Sequence, residues 1–186
     1  MGAYPYLTAS LPALTLGGAA PFTPESFLFH CQGVLSAEDL GELKAVLEGR
    51  AAEGRSDFAQ EWAAVEAQVR NAAAKVRGAR LGVEAKPFLK AHKGYRVWLD
   101  KEVSDALAKP NPLLCEMGLD NVRWKAADEL AGQDARGLGA VLAFAAKLLL
   151  VNRWAGMADE AGRAKLDSLV EGLEKSASES GAVDFK

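Results

Sequence analysis

The chain has 186 residues, 49% of them hydrophobic and 25% charged, with a formal net charge of −3. That is enough for one domain with its own core and too apolar for general disorder. Cys31 and Cys115 are too few for a disulfide framework and form no C-x-x-C or zinc pattern, which excludes a cysteine-stapled secreted fold.

No Lys or Arg precedes Lys44. The apolar start therefore lacks the basic region of a secretory signal and is expected to stay on the mature protein. Between Ala3 and Phe22, Leu7, Leu11, Leu14 and Leu16 are mixed with Pro5, Pro12, Pro21 and Gly17-Gly18. This mixture predicts an extended arm lying against the helices rather than a regular helix. Thr23-Pro24-Glu25 supplies an N-cap, a proline at the first helical position and an acid in the first turn. A short helix through about Gln32 follows, with Phe27 and either Phe29 or Cys31 facing inward.

Ser36-Ala37-Glu38-Asp39 is an acidic variant of the capping box, and Leu40, Leu43, Val46 and Leu47 form one apolar face ending near Gly49. From Ser56 a long helix is predicted to about Leu81, with Phe58, Trp62, Val65, Val69, Ala72, Val76 and Ala79 on one stripe. Glu66 stands four residues ahead of Arg70, the spacing of a surface ion pair. Beyond Gly82, short helices are predicted near Glu84–Ala91 and Val97–Lys109, separated by Gly94 and ended by Pro110. Leu99, Val103 and Leu107 define the inner face of the second.

Pro110-Asn111-Pro112 opens a helix or helix pair carrying Leu113, Leu114, Met117, Val122, Trp124 and Leu130 as far as Gly132, weakened by Gly118. Gly137 to Trp154 is apolar nearly all round and belongs at the centre of the fold. Its most apolar part, Leu138 to Val151, contains Lys147 and covers 14 residues, short of the roughly 20 that a membrane helix needs. Asp159 to about Ser176 reads as a last amphipathic helix around Leu166, Leu169, Val170 and Leu173, with Asp159/Arg163 and Glu171/Lys175 at ion-pair spacing. Residues 177–186 read as a flexible tail. No long alternation and no hairpin signal appear, so the expected fold is an all-α, multi-helix globular bundle with a Pro/Gly-rich N-terminal arm. Residues 1–176 form one helical domain, with 1–81 and 82–176 as candidate subdomains.

No chemistry stands out. His30 and His92 lack any ligand-forming spacing, and adjacent His30 and Cys31 on a helix point about 100° apart, so neither a metal site nor a nucleophile with its base is expected. Gly17-Gly18 is not followed by a phosphate-binding G-K-[ST], and the carboxylates sit at helix starts and on polar faces. The chain therefore reads as a non-enzyme without cofactor, acting through contacts with other proteins. Its charge is uneven: residues 1–69 hold nine acids and three bases, whereas residues 70–96 hold eight bases and one acid, Glu84. Arg70, Lys75, Arg77, Arg80, Lys86, Lys90, Lys93 and Arg96 are the candidate partner-binding residues, suited to an acidic surface. Phe88, Tyr95 and Trp98 interleave aromatics with these bases as single-strand nucleic-acid binders do, but they also fall where helical packing needs them, and the acidic chain ranks this reading lower. Asp120 and Arg123, at i, i+3 beside Trp124, form a candidate structural polar pair, worth under about 1 kcal/mol if it lies at the surface.

Tyr4-Pro5-Tyr6-Leu7-Thr8-Ala9-Ser10-Leu11-Pro12, Pro21-Phe22, Glu25-Ser26-Phe27-Leu28, Val76-Arg77-Gly78-Ala79-Arg80-Leu81-Gly82, Asn111-Pro112-Leu113 with Leu119-Asp120-Asn121-Val122-Arg123-Trp124, Ala143-Phe144-Ala145-Ala146-Lys147-Leu148 and Arg153-Trp154 lie along most of the chain. Together they resemble a family of uncharacterised bacterial proteins encoded among V-type ATP synthase subunits. Asn111-Pro112-Leu113 with Leu119-Asp120-Asn121-Val122-Arg123-Trp124 also resembles the helical repeat of the C-type (d-type) subunits of V-type ATPases, which are not catalysts. That family has a helical, funnel-like fold that seats the central rotor shaft on the membrane ring. The resemblance implies a reduced member of the C-type family, since this chain is much shorter than the three-part proteins of that family. It further implies rotor subunits as partners and a cytoplasmic place, peripheral to the inner membrane. The competing expectation is a free-standing regulatory or nucleic-acid-binding helical domain using the 70–96 segment.

Overall fold

The computed structural model describes residues 2–132, 136–157 and 159–180. These form eight α-helices: α1 (Pro5–Ser10), α2 (Pro24–Cys31), α3 (Ala37–Leu47), α4 (Asp57–Leu81), α5 (Val97–Leu107), α6 (Pro112–Ala131), α7 (Leu138–Ala155) and α8 (Asp159–Ser180). Single 3-10 turns occur at Ala51–Glu53 and Lys86–Phe88. Among the described residues there is no strand, only an isolated bridge between Ala3 and Gly137. The expected all-α bundle is the fold observed.

Helix boundaries follow capping chemistry. Thr23 and Ser26 cap each other at the start of α2, and the Ser36 hydroxyl accepts the Asp39 N–H at the start of α3. The second half of the α3 box is not the expected local one. The Tyr4 hydroxyl accepts from Ser36 N at 3.2 Å and donates to the Asp39 carboxylate, so a residue of the N-terminal arm completes the cap. At the start of α4, Glu42 reaches across from α3 to accept Arg55 N (2.6 Å), Ser56 N (3.1 Å) and the Ser56 hydroxyl (2.7 Å). The other end of α4 is closed by Gly82, whose φ of +65° is the left-handed conformation that ends helices.

Helix α7 lies at the centre, in contact with α1, α2, α3, α4 and α6. It runs 18 residues, longer than the 14-residue apolar stretch within it, and by length and composition alone it could cross a membrane; 61% of it is buried among the other helices. Phe27 of α2 packs on Phe144 with ring centroids 4.9 Å apart, and Phe22 joins both rings.

Several sequence expectations are corrected. The arm is not wholly extended, because Pro5 occupies the first helical turn, where a missing N–H costs nothing, and α1 forms before Pro12. The arm does pack on the core through buried Leu7 and half-buried Leu11, Leu14 and Phe22. Cys31, not Phe29, turns inward with Phe27, and Ala79, placed on the inner stripe, is exposed. The segment near Glu84–Ala91 is only a 3-10 turn. Gly118 lies inside one continuous α6 and marks its crossing with α5: a Cβ there would stand 2.7 Å from the Ala106 Cβ. Helix α8 extends past Ser176 to Ser180, while Asp159, half of one expected ion pair, has a side chain outside the described ones.

Candidate interaction surface

After Gly82 the chain reverses and runs back along α4 as a strap, residues 83–96, before α5 begins. Two buried amides of α4 hold it. Asn71 accepts from Lys90 N (2.8 Å) and donates to Lys90 O (2.7 Å); Gln68 accepts from Arg96 N (3.0 Å) and donates to Arg96 O (2.8 Å). Each amide satisfies both backbone groups of one strap residue, as a neighbouring strand would. Outside the strap, the Arg80 guanidinium donates to Leu107 O at 2.6 Å and ties the end of α4 to the end of α5. Asp100 joins the site by accepting from Gln68 (2.9 Å) and from the Tyr95 hydroxyl (2.8 Å), and this bond raises the Tyr95 phenol above its ordinary pKa.

The eight candidate bases thus separate into two groups. Lys75 faces Asp100, Arg77 faces Glu116, Arg96 bonds Glu61 at 2.7 Å, and Arg80 is spent on a carbonyl. Arg70, Lys86, Lys90 and Lys93 are exposed and make no side-chain ion pair among the described residues. Beside them lie exposed Leu81, Val83, Leu89 and Val97. Phe88 and Tyr95 are 67% and 60% exposed, contrary to the expectation that helical packing absorbs them. Trp98 is half-buried and covered by Lys125, 4.2 Å from its ring centroid. Exposed apolar side chains and positive charge that no described acid compensates, on a backbone held in place, make the strap the candidate interaction surface.

Asp120 and Arg123 form no surface pair. Asp120 is 0% exposed and accepts from Arg123 (2.9 Å), from Arg153 (3.0 and 3.1 Å) and from the Trp154 indole (2.8 Å). Arg123 also bonds Glu66 at 2.8 Å, so Glu66 turns away from Arg70 toward α6. Burial works against the Arg123 charge, but Glu66 and Asp120 outweigh it and raise the guanidinium above its ordinary value. Arg153 continues to Glu116 at 2.7 Å. The network joins α4, α6 and α7 and holds no nucleophile, so it acts as a polar tie. Trp124, its predicted companion, lies instead under Lys147, 5.1 Å from the ring centroid.

The remaining reactive types are dispersed. Cys31 is buried and its thiol is pushed up to about 11, so it carries almost no thiolate at neutral pH. His30 stacks on Phe22 with centroids 5.9 Å apart. Among the described residues no group of three or more His, Cys, Asp or Glu could hold a metal ion. Comparison of the chain with protein-family models, curated proteins and solved structures gives no match.

Proposed function

We propose that this protein is a non-catalytic accessory or coupling component of a bacterial V-type ATPase, a reduced relative of the C-type (d-type) family, working at the cytoplasmic side of the inner membrane through contacts with rotor subunits. The ATPase assignment rests on the sequence resemblance. Contact as the mode of action rests on one observation: the strap presents Lys86, Lys90 and Lys93 with exposed Phe88 and Tyr95 on a backbone clamped by Gln68 and Asn71. A backbone held in place lowers the ordering cost of binding, and ammonium groups that no described carboxylate pairs favour an acidic partner. The test is capture of the full-length chain from native membranes followed by mass spectrometry. Co-purification of rotor subunits is the expected result. Absence of the chain from both the rotor and its assembly intermediates would overturn the assignment.

A second reading is favoured by the exposure of Phe88 and Tyr95 beside unpaired lysines: a free-standing helical domain that binds single-stranded nucleic acid. It predicts binding to single-stranded RNA or DNA that weakens steeply with salt as counterions are released. Salt-insensitive or undetectable binding removes it.

A further inference from the structure

Among the described residues two faces are left uncovered, and they complement each other. The first is the strap with the residues that flank it, 81–97: Arg96 is already paired with Glu61, and Lys86, Lys90 and Lys93 against Glu84 leave an excess of +2 on a chain whose total is −3. Its exposed apolar side chains are mostly aliphatic (Leu81, Val83, Leu89, Val97), which serve a greasy helix face better than stacked bases. The second is α8, which carries six acids and three bases over residues 159–180, a net −3. Its Leu166, Leu169, Val170 and Leu173 form one apolar stripe, and all four are exposed. Asp167, Glu171 and Glu174 are spaced i, i+4, i+7, which sets them in an acidic row along one flank of that stripe.

We infer that α8 of one copy docks on the strap of a second copy, its leucine stripe against Leu89, Val97 and their neighbours and its acidic row against Lys86, Lys90 and Lys93. Each copy carries both faces, so a twofold pairing closes two identical contacts and neutralises both charge excesses at once. The rigid strap fits this role, since a helix laid on a fixed backbone loses little further entropy. This self-association goes beyond the ATPase reading and does not depend on it.

The experiment is sedimentation of the full-length chain over a concentration series, with circular dichroism as the folding control. Wild type is expected to dimerise, more weakly as salt rises. K86E/K90E/K93E and D167K/E171K/E174K change only exposed side chains, and each is expected to self-associate at least tenfold more weakly. Mixing the two variants in equal amounts restores opposite charges at both contacts and should give a heterodimer, which docking of α8 within its own chain cannot do. A wild type that stays monomeric, including one that covers its own strap, overturns the inference. So do triple variants that dimerise like wild type, or a mixture that stays monomeric. The assay contains no other protein, so its outcome is separable from that of the membrane capture.

Discussion

Asp120 has no exposed surface, and its carboxyl group is tolerable there only because Arg123, Arg153 and the Trp154 indole all donate to it. Removing the carboxylate takes the acceptor from the Trp154 indole and leaves Arg123 and Arg153 with Glu66 and Glu116 alone. D120A is expected to cost about 1–3 kcal/mol in urea unfolding, the range for leaving buried donors without their acceptor, and a loss below about 0.5 kcal/mol would refute the tie. The Asp120–Arg123 half of this network is legible as a local i, i+3 spacing. The Arg153–Trp154 half is not, because it comes from another helix. Glu42 makes a pH-dependent contribution. Burial raises its pKa, but the N–H groups of Arg55 and Ser56 and the Ser56 hydroxyl outweigh that, and the net result lies below the ordinary 4.5. A carboxyl depressed in the folded state stabilises it above the unfolded value and stops doing so as pH falls through the folded one. Stability should therefore decline in acid below about 4.5, and E42Q should flatten that decline in urea titrations between pH 6 and about pH 3. An identical acid limb in E42Q would show that the cap does not contribute.

At the scale of elements, the helices α2, α3, α4 and α6 follow local rules: a capping side chain or proline at the start, an apolar face, a glycine or loop at the end. The strap does not. Gln68 and Asn71 look like stray polar residues in the stripe of α4, and nothing adjacent in sequence shows that each takes both backbone groups of a residue far downstream. The double variant Q68A/N71A should leave helix content nearly unchanged while the Lys90 and Arg96 amides exchange at least tenfold faster, since those N–H groups lose their acceptors. Unchanged exchange would mean that the clamps do not hold the strap. Gly118 teaches a similar lesson. Propensity marks it as a weak point in α6, whereas its missing Cβ is what lets α6 approach Ala106 of α5 so closely.

For the whole molecule, one buried cluster draws on Phe27, Leu43 and Val65 from the first half of the chain and on Leu99, Val122 and Leu142 from the second. Among the described helices, α8 is the one whose whole apolar stripe is left open to solvent, and that contrast is what makes it a candidate for an interface. The all-helical class, the long α4 and the central α7 are determined by the sequence by itself, because helix hydrogen bonds and apolar periodicity are local and need no knowledge of distant residues. Which bases of the 70–96 stripe stay free, which aromatics reach solvent and what surrounds Asp120 were decided only by tertiary structure. The physical reason is that a charge or a ring is neutralised or covered by whatever side chain lies opposite it, and here those partners stand on other helices, far along the chain.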